Sequence, residues 1–212
     1  MTQTYTSIIA LIISILGLTI SGLTLFFTQF RPPEISTIVG PVIKFYYPRD
    51  GGFGIYLPVT FVNPSPKTGI VLRSGITIFQ KTTPQQKYYM EWRFFAKLRE
   101  QGDSYLFEED AHSIAIPQYS FISKMIWVTW RQFMPQQFRI IEGEYVLFFH
   151  YWTSTQKPMN SMHEFLITGD IFKELESYRI GKQSTIVNVD LDATVRQNLL
   201  LNTYEAQSLL GI

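Results

Sequence analysis

Three histidines, His112, His150 and His163, are the first places to look for acid–base or metal chemistry in this 212-residue chain. His112 follows Glu108, Glu109 and Asp110, and His163 precedes Glu164. Neither has a second histidine four residues away on a helix, the spacing that lets two rings reach one zinc ion, and cysteine is absent. His150 lies in the most apolar strand pattern, 142–152, where a paired core or interface histidine is expected. Asp190 and Asp192 alternate at a strand end, and calcium would need several more oxygens. No serine stands in a Gly-x-Ser-x-Gly elbow, and the chain offers no cysteine nucleophile. Its carboxylates are not placed by sequence into a pair whose pKa values would separate. No catalytic residue, metal site or cofactor is therefore expected, and the chain reads as a protein without an enzymatic activity of its own.

The aromatic side chains are the other candidates. Tyr46, Tyr47, Trp92, Trp127, Trp130, Tyr151 and Trp152 are the right types to stack on sugar rings or on the apolar ridge of a partner. A domain of this size needs large core residues, so most of them are expected inside. Trp127 and Trp130 lie three apart on one strand pattern, which sends them to opposite faces.

What positions these groups begins with residues 7–27, SIIALIISILGLTISGLTLFF. No charged residue precedes Arg31. A helix over 8–27 is roughly 30 Å long, the hydrocarbon thickness of a bilayer, and a helix can span there with its backbone polar groups satisfied. The start carries no Lys or Arg and no small-x-small cleavage pattern follows, so an uncleaved anchor is expected rather than a signal peptide. Arg31, Lys44 and Arg49 follow the helix and none precedes it, which places the domain on the cytoplasmic side with the N-terminus outside. Ser7, Ala10, Ser14, Gly17, Ser21, Thr24 and Thr28 recur at alternating steps of three and four, a stripe that allows close approach of another helix. The expected partners are the lipid bilayer and a second transmembrane helix, from a copy of the chain or from a membrane-complex subunit. A formal charge of +1 gives no reason to expect nucleic acid.

After Pro32-Pro33, which stop the helix, the period changes from helical to two. Strands are expected over 42–47 and 54–62, joined by a Pro-Arg-Asp-Gly-Gly turn, and the second ends at Asn63-Pro64-Ser65-Pro66. Residues 70–79 read as a strand with a bulge at Ser74-Gly75. Over 88–98, Met90, Trp92, Phe94, Ala96 and Leu98 point one way, while Glu91, Arg93 and Lys97 point the other. A loop around a short strand is expected over 101–111, with Gly102 at a turn. Further strands follow over 112–116, 119–133, 142–152, 161–168 and 185–189, with 142–152 apolar on both faces and so central. Asp170 would cap a short helix ending at Gly181, and Asp192 a terminal one carrying Val195, Leu199, Ala206 and Leu210. Gly143 and Tyr145 open a strand in a way that resembles the tyrosine corner of immunoglobulin-like sandwiches, in which the hydroxyl bonds back across a strand connection.

The expected architecture is therefore all-β: a single N-terminal transmembrane helix, then an immunoglobulin-like β-sandwich with one or two short helices near the C-terminus. The anchor occupies residues 1–30, a proline-containing linker 31–37, the sandwich 38–191 and a helical tail 192–212. The expected role is an accessory or interaction module at the membrane surface. Two other readings remain: an exported carbohydrate-type binding module, and a hydrolase whose site is assembled only in the fold.

Overall fold

The computed structural model describes residues 2–30, 32–49, 51–99, 104–130, 138–153 and 157–192. The expected tail helix, the turn at Gly102 and the last residues of the 119–133 strand lie outside them. Helix α1 runs over Thr2–Leu25 and widens into a π-helical turn over Phe26–Phe30. Its segment Ser7–Thr28 is long and apolar enough to cross a membrane, with a mean hydropathy of 2.4 and none of it buried.

The rest of the chain is mostly strand. The elements are β1 (Ser36–Val39), β2 (Val42–Tyr46), β3 (Phe53–Asn63), β4 (Gly69–Val71), β5 (Arg73–Gln80), β6 (Tyr88–Leu98), β7 (Tyr105–Asp110) and β8 (Ile114–Ile116). After these come β9 (Ser120–Trp130), β10 (Gly143–Trp152), β11 (Met159–Ile167), helix α2 (Gly169–Ile180) and β12 (Val187–Asp190). One antiparallel sheet runs in the order β11-β10-β5-β6-β9-β3-β2-β12, with β1 added to β3 and β7 to β6; β4 and β8 form a separate pair. Within that sheet, β2-β3-β9-β6 follows the A-B-E-D order of an immunoglobulin-like sandwich and β5-β10-β11 the C-F-G order. At its free margin the sheet nearly closes on itself, through a bridge between Phe165 and Leu191 and a bond from Asp192 N to Glu164 O (2.7 Å).

Both layers share β6. Its first part, Gly75↔Glu91 to Ile78↔Tyr88, pairs with β5, and Trp92 to Ala96 pair with β9. The change of layer falls at a register shift between Trp92 and Phe94. That extra residue reverses the parity of the strand. Met90, Trp92 and Phe95 enter the main core, whereas Ala96 belongs to a second cluster on the outer face and Leu98 is exposed. Phe94 likewise packs against Phe107 and Trp127, outside the main core. The single apolar face expected over 88–98 is thus divided between two faces.

Between the layers, Phe45, Phe53, Phe61, Phe95 and Phe149 are fully buried. Leu147, two residues after Tyr145, is fully buried. Buried Asn63 ties the end of β3 to its neighbours. Its amide nitrogen donates to Lys67 O (2.6 Å), Ile116 O (3.0 Å) and Pro117 O (3.1 Å), and its carbonyl accepts from Ser65 N (3.1 Å). These bonds satisfy backbone carbonyls of the segments after β3 and at the end of β8.

Several local expectations are corrected. Ser74-Gly75 is not a bulge, because β5 and β10 keep one register from Arg73 to Gln80; the strand breaks instead at Leu72. The Gly75 position serves packing: a Cβ there would lie 2.8 Å from Tyr89 Oη, whose ring fills the gap. Helix α2 is capped by Thr168 rather than Asp170, because β11 ends at Ile167 and leaves Thr168 extended, accepting from Ile171 N. Gly181 is right-handed (φ −72), and the left-handed residue after the helix is Lys182 (φ 50). The packed domain also begins before residue 38, since Ile35 is buried and β1 starts at Ser36.

Trp92 is buried and donates from Nε1 to Phe94 O at 2.9 Å, inside the bulge that moves β6 between layers. Trp92→Ala is expected to cost about 3–5 kcal/mol in a denaturant titration of the detergent-solubilised chain. Glu91→Ala, exposed beside it, should cost under about 0.5 kcal/mol. Equal effects would contradict this account of the strand.

Candidate functional site

The stripe residues Ser7 to Thr24 lie on α1 and Thr28 on the π-helical turn that follows, and three of their hydroxyls are engaged within the helix. Ser14 Oγ donates to Ala10 O (2.8 Å), Thr24 Oγ1 to Ile20 O (2.8 Å) and Thr28 Oγ1 to Thr24 O (2.7 Å). At these three positions the protons satisfy carbonyls one turn back, so a contact made through Ser14, Thr24 or Thr28 would rest on close packing rather than on their donated hydrogen bonds. A side chain added at Gly17 would meet nothing within 4 Å, as also at Gly22 off the stripe, because the segment Ser7–Thr28 is unburied.

Tyr145 lies at the start of β10, two residues after Gly143 (φ 138). Its hydroxyl donates to Ile141 O (3.1 Å) and accepts from Ile141 N (3.0 Å), four residues upstream across the connection that enters the strand. The positive φ at Gly143 frees the chain to make that turn.

The three histidines are held in separate places. His150 is on the outer face of the β11-β10-β5-β6 layer, with Nε2 2.7 Å from Thr77 Oγ1 and Nδ1 2.7 Å from Asn160 Oδ1. In the neutral ring, Nδ1–H donates to the amide oxygen and Nε2 accepts from the threonine hydroxyl. Phe148 stacks on it (8° between planes), and Tyr89 and Trp152 flank it. Arg73 lies over Trp152, 4.4 Å from the ring centre.

His112 is exposed beside Glu109 (3.3 Å), which also meets Lys124 (3.1 Å); Lys124 in turn reaches Glu108 (3.3 Å). Lys124 and His112 together hold the Glu109 carboxyl below the usual carboxylate range. The bond from His112 to Ser113 O, with Glu109 second, raises the His112 ring. These are exposed pairs whose charges water already solvates, so they add little stability.

His163 is half-buried, its side chain 16% exposed. Nδ1 lies 2.8 Å from Asp192 Oδ2 and Nε2 lies 3.2 Å from Ser161 Oγ. The order Asp–His–Ser through opposite ring nitrogens is that of an acyl-transfer array, although here serine and histidine come from one strand. Asp192 Oδ1 also accepts from Glu164 N (2.8 Å), and Asp192 is left-handed (φ 51). Its carboxylate therefore fastens the end of the described chain to β11, which is the role found for the residue expected to cap a terminal helix. Sequence reasoning missed the pairing because 28 residues separate Glu164 from Asp192. Among the described residues, no group of three or more His, Asp or Glu side chains is placed to hold a metal ion.

The aromatic candidates divide. Tyr47, Trp92 and Tyr151 are in the core and Trp130 packs against it. Tyr46 and Trp127 sit on the opposite face with Tyr56 and Tyr105, and Trp127 Nε1 donates to Tyr46 Oη (2.5 Å). Trp152 is nearly buried beneath Arg73 on the other outer face. Both outer faces therefore carry stacked aromatics rather than one shared platform. Compared with known protein families, curated proteins and solved structures, the chain matches none.

Tyr47 yields a test of the core. Burial pushes its hydroxyl up to about 12, against the lowering effect of Ile140 N, which donates to it at 3.3 Å. A folded value above the usual 10 means that its contribution is complete below about pH 10 and declines as pH rises towards 12. The loss should be on the order of 2 kcal/mol. Denaturant midpoints measured from pH 9 to 12 should fall, and Tyr47→Phe should start lower but decline less steeply.

Proposed function

We propose that this protein is a single-pass, membrane-anchored β-sandwich that works as a non-enzymatic interaction module, held at the membrane and meeting a partner through its transmembrane helix. The observation that carries the reading is the helical segment Ser7–Thr28, uncharged throughout, long and apolar enough to cross a membrane, and unburied by the rest of the chain. Such a surface is costly in water and favourable in lipid. A domain with a closed aromatic core and paired histidines supplies rigid surfaces rather than reactive groups. Arg31, Lys44 and Arg49 favour a cytoplasmic domain with the N-terminus outside. Protease added to inverted vesicles should then degrade the domain, and protease added to intact cells should leave it whole. The reverse pattern would turn the assignment towards an exported binding module.

Ser7, Ala10, Ser14, Gly17, Ser21, Thr24 and Thr28 supply the surface on which a second helix would lie. Gly17→Ile or Ser21→Ile adds a branched side chain where backbones approach, and should weaken association in an in-membrane two-helix assay while insertion persists. Leu16→Ile and Leu18→Ile, nearly isosteric, are the controls. If all four match the wild type, the helix anchors and does no more.

The hydrolase reading keeps one observation in its favour, the line from Asp192 through His163 to Ser161. A fluorophosphonate probe is expected not to label the chain. Labelling that disappears in Ser161→Ala would replace the interaction module with an acyl-transfer enzyme.

A further inference from the structure

We infer that the end of the sandwich formed by Ile70, Tyr119 and Phe121 is a second membrane contact, seated in the interfacial layer of the same bilayer that holds the helix. The inference rests on the anchoring proposed above and adds to it the posture of the domain. Its first support is the shortness of the connection. The helix ends at Phe30, and by Pro33 the chain is already against the domain. A side chain at Gly69 of β4 would strike Ile35 (2.6 Å) and touch Pro33 (3.4 Å). Ile35 is buried, and its carbonyl accepts from Tyr151 Oη at 2.9 Å. Three Cα steps separate Phe30 from Pro33, at most about 11 Å. Whatever the tilt of the helix, β4 is thereby confined near the lipid–water boundary.

The second support is what the domain exposes there. Ile70, next to Gly69, is 46% exposed, Tyr119 is 71% and Phe121 is 66%. Tyr119 N donates to Ser65 O (3.1 Å), in the loop that leads to β4. Phe121 pairs with Val62, which pairs with Ser36 at the start of β1. Two strand spacings place Phe121 about 10 Å from the chain's point of entry. Tyr119 also adopts a left-handed backbone (φ 49), a conformation bulky residues rarely take, and it presents its ring outward at the loop tip. Aromatic rings with a polar handle, beside apolar side chains, suit the headgroup layer, where one end is wet and the other is not. The opposite end of β3, at the turn that holds Arg49, lies about 33 Å away along the strand and serves as an internal reference.

The chain has no cysteine, so single cysteines report cleanly. The full chain carrying Ile70→Cys, Tyr119→Cys, Phe121→Cys, Arg49→Cys or Ile13→Cys would be labelled with a polarity-sensitive fluorophore and reconstituted into phosphatidylcholine vesicles. Labels at 70, 119 and 121 should emit further to the blue than at 49, resist aqueous iodide several-fold better, and be quenched by lipids carrying a shallow nitroxide. The label at 13 reports the anchor independently. If 13 is protected while 70, 119 and 121 behave like 49, the second contact is refuted and the anchor stands. If the three are shielded from iodide but not reached by nitroxide lipid, protein covers them and the lipid assignment is overturned. If 13 itself is open to iodide, both readings fall.

Discussion

One strand belonging to two layers is the constraint on which the rest of this fold depends. β6 pairs first with β5 and then with β9, and the register shift at Trp92 and Phe94 lets it turn from one layer to the next without a loop. Because the shift also reverses parity, Met90, Trp92 and Phe95 serve the main core while Ala96 serves the outer cluster. The indole of Trp92 closes the bulge by donating to Phe94 O. The opposite margin is held by the Phe165–Leu191 bridge and the Asp192 bonds to β11, so the two layers are joined along both sides. A sheet closed in this way leaves few strand edges for other chains to pair with.

Polar bonds are concentrated where the ladder fails. Asn63 gathers carbonyls from two segments at the end of β3, where prolines interrupt pairing. Tyr145 does the same for Ile141 ahead of β10, and Tyr151 for Ile35 where the chain enters the domain. Each places a side-chain donor or acceptor against backbone at the end of a strand or in a connection. Among the buried side-chain polar atoms of the described residues, the Ser74 hydroxyl is the one without a hydrogen-bond partner.

The same economy bears on function. Each histidine is already paired, with Thr77 and Asn160, with Glu109, or with Asp192 and Ser161, and the three do not share a site. Among the described residues, large apolar side chains are exposed along the helix and at Ile70, Tyr119 and Phe121 of the domain.

The transmembrane-length helix, the all-β character of the domain and most strand positions follow from the sequence alone, because each rests on a local period: an unbroken apolar run of bilayer length, then alternation of two. β6 was legible to the residue in extent, 88–98, yet its alternation concealed the change of face at Phe94 and Phe95. A bulge is set by which neighbours a strand meets, and those neighbours are far away in sequence. For the same reason Ser74-Gly75 resembled a bulge while Gly75 makes room for Tyr89, and Asp170 resembled a cap while Thr168 held the position left by β11. The histidine environments needed the tertiary structure entirely, since Thr77, Asn160 and Asp192 reach them only through strand pairing. Composition and periodicity determine which elements form, and the long-range register decides which side chains meet.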